Sequence, residues 1–539
     1  MLFHFFFVTP GAHMYRVSQL ISARSMIKGF AVCCSLAAGI SQASAEADSR
    51  LPNAAMNRDL ATVHALLEQG VDANSLGEYE TPAIHWLVRI DALDAVKELL
   101  DAGADPNSLT STGISPLSLA ITNGSPAMVN LLLDAGANAS ALELSGESML
   151  MTAAKVGVPG SVKALLDHGA EVDLRDANFQ QTALMIAARE GHPEVVTLLL
   201  SHGADPNAST PIGKAPPFIA PNSVPGFGFG VGILRGGVPA DRGRREPAPG
   251  GMTPLLYAAR HNHVDVARIL LDAGAQLDAK EANGIWPLLM AISNDNMPMA
   301  HFLIEQDALI NDQDWYGRSP LWEAVNVRNL YLHNGTFEHN IDREAVLEVI
   351  KELIAKGADV NSRTKETPPF RHYLLAITGS LEWVDFTGQT PFLTAALAGD
   401  ITVMKLLLEN KADPHISTFE GTTPLMAAAG VNWVVSQTYT ESPENLLAAV
   451  KMCLDLGMDV NHANSMGITA LHGAANRGSD DIIQFLADNG ADLTALDNEN
   501  RSPLDWAQGV FLATHAPEVK PSSVALITKL LTAQGKEIR

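Results

Sequence analysis

Aromatic rings and thiols are scarce in this chain. Its 539 residues include 7 Trp, 7 Tyr, 17 Phe and 3 Cys. Cys33 and Cys34 lie in an N-terminal apolar run, so the chain beyond it keeps Cys453 alone and can form no internal disulfide. Leu446, Leu447, Val450 and Leu454 surround Cys453 at helical spacing, which reads as a small buried residue. Cations are also short, with 36 Lys plus Arg against 60 Asp plus Glu and a net charge of −24. Phosphate binding needs clustered cations, so this balance disfavours nucleic acid as a partner. It disfavours anionic membrane surfaces for the same reason. Catalytic signatures are missing as well. No His-Glu-x-x-His, Cys-x-x-Cys, Gly-x-Ser-x-Gly or phosphate-loop spacing occurs, and His261, His263, His333 and His339 stand without metal-ligand context.

The N-terminus reads as a targeting segment. Arg16, Arg24 and Lys28 precede a 12-residue apolar run, Gly29 to Ile40, and Ala43-Ser44-Ala45 follows as a small-x-small cleavage site. That order predicts a secretory signal peptide over 1–45, with Met14 and Met26 as alternative starts. The run is too short to span a bilayer comfortably, so no transmembrane span is expected after cleavage.

What is abundant is a period. Gly70, Gly103, Gly136, Gly169 and Gly203 are spaced by 33, 33, 33 and 34 residues. A fixed period of this size predicts a solenoid of stacked supersecondary units. In the clearest unit, Thr182 to Arg189 opens a short helix and Glu190-Gly191-His192-Pro193 is a turn. Glu194 to Leu200 is a second, apolar-faced helix that Gly203 ends in the left-handed conformation. The helix openings repeat too: Thr81-Pro82, Ser115-Pro116, Thr253-Pro254, Ser319-Pro320, Thr390-Pro391, Thr423-Pro424 and Ser502-Pro503. Thr or Ser there caps the helix, and Pro sits where no amide donor is missed.

These openings, with the His of Thr469-Ala470-Leu471-His472 and the recurring Gly-Ala-Asp turns, resemble the ankyrin repeat. The resemblance covers about twelve repeats over 51–535. It implies an all-α ankyrin-repeat solenoid of helix–turn–helix units with short β-hairpin connections. The boundaries read as repeats one to five over 51–208, six to eight over 250–361 and nine to twelve over 383–535. Asp307 and Lys411 replace the capping Gly, which predicts two looser or distorted joints.

Insertions interrupt the period. A Gly/Pro-rich segment over 209–249 carries Arg242, Arg244 and Arg245, a basic patch on an acidic chain. A second, over 362–382, falls at the same place in its repeat. Three more, at 328–342, 431–443 and 509–521, separate the two helices of their units. Two residues before Gly317, Gly388 and Gly421 stand Trp315, Phe386 and Phe419, with Tyr316 beside the first. A row of aromatics on hairpin tips forms an interaction hot spot or packs internally to stiffen the stack. With Arg242, Arg244 and Arg245, these are the candidate partner-binding residues.

The resemblance implies a non-enzymatic scaffold that binds a protein partner through hairpin tips and the concave helical face, with no cofactor or metal. With the signal peptide, that is an exported protein, periplasmic or secreted, of bacterial type. A secreted effector acting on a host or competitor protein, and a periplasmic helper for another enzyme, remain open alternatives.

Overall fold

The computed structural model describes residues 48–77, 79–213, 250–329, 341–366, 387–433, 441–510 and 518–536, and the backbone of 333–334 and 337–338. The signal-peptide segment and the arginines of the first insertion therefore lie outside the described residues. Within them, 24 helices form twelve consecutive pairs, from Arg50–Met56 with Leu60–Glu68 to Pro503–Ala507 with Pro521–Ala533. The first helix of each pair packs against the first helix of the next, along the whole array. The chain is thus an all-α solenoid. The hairpins between pairs are turns with few bridges: Leu76 with Pro82, Leu142 with Ser148 and Ala463 with Thr469. Among the described residues the one formal strand pair, His333–Asn334 with Phe337–Glu338, lies inside an insertion.

Capping chemistry starts the first helices. Ser319 Oγ accepts from Trp322 N at 3.2 Å and Thr253 Oγ1 from Leu256 N at 3.3 Å, each with Pro in the first turn. The second unit departs from this. There Pro82 itself holds the cap position and the Thr81 hydroxyl donates to Tyr79 O at 3.0 Å. The opening is shifted by one residue, and buried His85 Nδ1 is left without a partner. Second helices are amphipathic. Leu93–Asp101 buries Ala95, Val96 and Leu99 and leaves Asp94, Lys97 and Glu98 to solvent.

The recurring Asn of the turns stitches the repeats together. Asn107 Nδ2 donates to Gly136 O at 3.0 Å, while its Oδ1 accepts from Asn138 N at 2.8 Å. Asn74, Asn207, Asn311 and Asn461 make the same double bond to the following repeat. The Asp two residues earlier is local: Asp105 Oδ1 accepts from Asn107 N at 2.9 Å.

The joints at Asp307 and Lys411 are regular, against the expectation of distortion. Both residues adopt the left-handed conformation, at φ 61° and 71°. Ala308 N still reaches Leu303 O at 3.1 Å, and Ala412 N reaches Leu407 O at 2.9 Å. Packing of the following Ala (6% exposed or less) holds the geometry that Gly would adopt freely.

Both hairpin insertions leave through one clamp. Thr210 N donates to Met252 O at 3.0 Å and Gly251 N to Thr210 O at 2.8 Å. Thr364 with Gln389 and Gly388 repeats the pattern at 3.1 and 2.8 Å. In each clamp the threonine hydroxyl accepts one further amide. The other three insertions fall between paired helices, after Pro320–Arg328, Pro424–Ala429 and Pro503–Ala507. The second helices that follow run 13 residues, one turn more than the usual 9.

Candidate functional site

The eighth to tenth repeats bury their first helices from end to end. All residues of Pro391–Ala398 and Pro424–Ala429 are buried, and in Pro320–Arg328 only Asn326 is not. Leu393, Leu397 and Ala427 form a second apolar cluster with Trp433, separate from the main core. Trp322, at 2% exposed, also stands outside the main core. The first helices of this stretch thus present almost no exposed side chain, as does Pro287–Ser293 before them, whereas Arg89, Thr122 and Lys155 are exposed on the corresponding helices of repeats two to four.

Charge is buried here too, in paired form. Arg318 Nε donates to Asp314 Oδ2 at 2.8 Å and its Nη1 to Glu323 Oε1 at 3.2 Å. Ser293 Oγ completes the set by donating to Glu323 Oε1 at 2.8 Å. Burial pushes the Asp314 carboxyl up from its ordinary value, while the two carboxylates hold the Arg318 guanidinium above its own. Nearby, Arg477 reaches across two repeats and donates to Ala428 O at 2.9 Å and Leu397 O at 3.1 Å. Burial without a carboxylate partner pushes that guanidinium below its ordinary value.

The predicted tip aromatics divide. Trp315 is 38% exposed, its amide donates to Asn283 O at 2.9 Å, and its ring meets Tyr316 edge-on at 5.0 Å. Tyr316 points inward, 4% exposed, with the Arg318 guanidinium 5.6 Å from its ring centre. Phe419 is 58% exposed beneath Arg363, whose guanidinium lies 4.4 Å from the ring centre. Arg363 is fixed in turn by donating to Ser417 O at 2.7 Å and Gly388 O at 3.2 Å. Phe386, Arg242, Arg244 and Arg245 lie outside the described residues. The structure thus presents Trp315 and Phe419 on the eighth and tenth hairpins and withdraws Tyr316 into the wall behind them.

The main chain links successive hairpins in this half. Trp315 N donates to Asn283 O, Phe419 N to Thr387 O, Ser465 N to Glu420 O and Asn498 N to Met466 O, all within 3.1 Å. Among the described residues no main-chain bond of this kind joins the hairpins of repeats two to five. Those same hairpins carry the larger apolar display, which the sequence reading missed. Tyr79, Leu109, Leu142, Leu144 and Phe179 are exposed, Leu144 at 82%. Leu144 occupies the tip position equivalent to Trp315 and lies over Gly113 of the preceding hairpin, where any Cβ would collide with it. Its signal was present: an apolar residue two before the tip Gly. A search confined to aromatic rings passes over it.

Among the described residues no group of three His, Cys, Asp or Glu is placed to hold a metal ion. Cys453 is buried, and desolvation pushes its thiol up to about 12, so it is held as the unreactive thiol. No helix among the described residues is long and apolar enough to cross a membrane.

Comparison with known proteins agrees with the repeat architecture. The family described as ankyrin repeats (3 copies) matches residues 51–143, 136–210 and 441–510. Ankyrin repeats (many copies) match 255–304, and a single ankyrin repeat matches 387–416. Similar curated proteins include alpha-latrocrustotoxin-Lt1a of Latrodectus tredecimguttatus, 25% identical over 32% of this chain and 10% of that protein. Ankyrin repeat domain-containing protein 63 of Homo sapiens is 32% identical over 22% of this chain and 30% of that protein. Neurogenic locus notch homolog protein 1 of Mus musculus is 29% identical over 32% of this chain and 7% of that protein. The chain thus spans under a third of each of these relatives. The crystal structure of the human ASB11 ankyrin repeat domain is 21% identical, with a TM-score of 0.35, covering 53% of this chain and 99% of that one. That superposition adds nothing to the assignment, which rests on the matched repeats and the twelve helix pairs. The chain belongs to the ankyrin-repeat family.

Proposed function

We propose that this chain is an exported ankyrin-repeat scaffold that captures a protein partner through its hairpin tips, with the open concave face of the early repeats beside them. One observation carries the reading: large apolar side chains stand exposed at tip positions, Leu144 at 82% and Phe419 at 58%, instead of joining the core. Burying such side chains against a partner drives association, and Trp, Tyr and Phe are enriched at such anchors. The first helices of repeats eight to ten are buried, which favours the tips as the contact surface there. Export rests on the sequence of residues 1–45, and cleavage after Ala45 leaves a mature chain beginning at Glu46.

The test places a photo-crosslinking residue at Leu144, Trp315 or Phe419, and at Lys351 on an outer helix as control. Envelope extract and medium from the producing cells are then irradiated with each protein. Adducts of one mass at tip positions and none at Lys351 support the scaffold. Adducts at Lys351 alone, or at none of the four, overturn it. Mass spectrometry of the recovered chain reads the N-terminus, and a retained segment 1–45 removes the export part.

A further inference from the structure

We propose that the exposed face of the first helices in repeats two to six is the docking site for an extended acidic segment of a protein partner, with a carboxylate at about every third residue. The proposal rests on the scaffold reading and names the partner chemistry for one of its surfaces.

Charge in these repeats is sorted by layer. The first helices, Ala83–Arg89, Pro116–Thr122, Met149–Val156, Ala183–Glu190 and Pro254–Arg260, hold four cations and one carboxylate, Glu190. The second helices of the same repeats hold eight carboxylates and three cations. A chain of net charge −24 thus carries an electropositive helix layer, and that layer attracts an anionic partner.

The four cations share one register. Arg89, Lys155, Arg189 and Arg260 each stand seven residues after the N-cap of their helix, with Thr122 at that position in repeat three. In repeats seven to eleven the position holds Ser293, Asn326, Leu397, Gly430 and Asn476, so the row ends at repeat six. Successive first helices pack on one another, and packed helices lie about 10 Å apart. A polyproline-type extended chain advances about 9 Å in three residues, which sets one carboxylate against each helix.

The row is available for a ligand. Arg89, Lys155 and Arg260 are exposed, and their side chains have no hydrogen-bond or ion-pair partner among the described residues. Arg189 is oriented by Glu190 Oε1 at 2.8 Å and Gln181 Oε1 at 3.3 Å, and Gln181 in turn donates to the Tyr257 hydroxyl at 2.5 Å. Three residues before each cation, on the same helix face, stand Trp86, Thr152, Ile186 and Tyr257, a largely apolar bed for the residues between carboxylates. His261 marks where the cations converge. Desolvation, then Arg260, His263 and Arg189, push its ring below the ordinary value, against Glu190 alone. Guanidinium groups from two repeats therefore act on one exposed ring.

The spacing favours a peptide over nucleic acid. A nucleic-acid strand carries a phosphate about every 3.4 Å, some threefold denser than this row. Arg takes a carboxylate through two parallel bonds.

The probe is a fluorescein-labelled peptide of five Glu-Pro-Pro units, titrated against the full mature chain by fluorescence anisotropy. Saturable binding is expected, with the His261 ring pKa rising as carboxylates settle beside it. Affinity falls at least tenfold in Arg89→Gln/Lys155→Gln/Arg260→Gln and between 0.05 and 0.5 M salt. All three substituted residues are exposed, and circular dichroism melting checks that the variant keeps its fold. Lys97→Gln/Lys163→Gln/Lys351→Gln removes the same charge from second helices and leaves binding within twofold. Undiminished affinity in the first triple variant, or an equal loss in the second, overturns the proposal. Equal binding of a Lys-Pro-Pro peptide, or tighter binding of a fifteen-nucleotide oligothymidylate, does so too. So does sedimentation showing a wild-type dimer that the first triple variant converts to monomer, because a second copy then occupies the row. Absence of peptide binding while the tip crosslinkers still capture a partner removes this inference and leaves the scaffold standing.

Discussion

Arg328 Nε donates to Asp400 Oδ2 at 2.8 Å with both side chains almost wholly shut from water, 5% and 2% exposed. The pair ties the end of one first helix to the interhelical turn of the next repeat, where Asp400 Oδ1 also caps Val403 N at 3.2 Å. Arg343 joins from the other side at 3.5 Å and meets Glu441, near the end of the tenth-repeat insertion, at 2.5 Å. Three repeats therefore share one buried charge cluster. Removing one member leaves an uncompensated buried charge, at a cost of about 3–5 kcal/mol. Asp400→Ala should lower stability by that amount, measured by urea unfolding. The apolar double variant Arg328→Met/Asp400→Leu should recover most of it. A loss in Asp400→Ala below about 1 kcal/mol would show that the pair behaves like a surface bridge.

The Asn ladder gives a second measurable quantity. Asn107 uses both ends of its amide across the repeat joint. Asn107→Asp keeps the acceptor for Asn138 N and forfeits the donor to Gly136 O, a net loss of about 1 kcal/mol. The fifth repeat contains the natural counterpart: Asp173 accepts from Asp205 N, at a longer 3.3 Å. Hydrogen exchange of the Asn138 amide reads the effect locally. Unchanged protection in Asn107→Ala would show that the ladder follows the stack without supporting it.

Asp307 and Lys411 hold the left-handed conformation without the freedom of Gly. Lys411→Gly should stabilise the chain by about 1 kcal/mol, since the side chain no longer crowds the following carbonyl. Asp307→Gly should gain less, because a short polar side chain tolerates that conformation and the exposed bridge to Lys356 Nζ (2.9 Å) is lost with it. Thermal unfolding of the two single variants checks the ranking. A fall in melting temperature for Lys411→Gly would place the stability of that joint in the side chain.

The architecture was legible because each mark of it is local. A Gly that ends a helix and a Thr-Pro that opens one follow from backbone chemistry, so their spacing carries the period. The joints at Asp307 and Lys411 misled because a local penalty was read as a local distortion, whereas tertiary packing held the geometry. Thr81-Pro82 misled in the opposite sense, since its motif matches while the helix begins one residue later. Long-range pairing was illegible altogether. Nothing in the order of Arg328, Arg343, Asp400 and Glu441 announces a shared cluster. Leu144 was passed over because its meaning lies in what fails to cover it.

His85 and His472 make the stack sensitive to acid. Both are buried and pushed below the ordinary histidine value, with desolvation the leading cause. His472 Nε2 donates to Arg501 O at 3.1 Å and its Nδ1 accepts from Thr469 N at 3.1 Å, which fixes a neutral ring. Because the folded ring binds its proton more weakly than the unfolded one, the unfolded state carries more protons below the ordinary value of 6.5. Stability from these rings is therefore complete above that pH and is lost as pH falls through the folded value. Urea midpoints should decline from pH 7.5 to pH 5.5, and an NMR titration of the His472 ring should place its pKa below that of unfolded histidine. A ring that titrates at or above the unfolded value would overturn the assignment.

Trp315 and Phe419 are the sharpest test of whether exposed tip aromatics serve recognition or rigidity. Each ring has an internal neighbour, Tyr316 at 5.0 Å and Arg363 at 4.4 Å, and each keeps a solvent face. Those neighbours orient the rings at little entropic cost on binding, as an anchor requires. The double variant Trp315→Ala/Phe419→Ala should abolish partner capture at these hairpins and shift the melting temperature by no more than about 2 °C, the range of surface substitutions in a chain of this size. Arg363→Ala should weaken capture less, since it loosens Phe419 without removing the ring. A large fall in melting temperature with capture intact would instead assign the aromatics to stiffening the stack. The main-chain bonds of Trp315 N and Phe419 N survive truncation of the side chain, so such a fall would come from the rings alone.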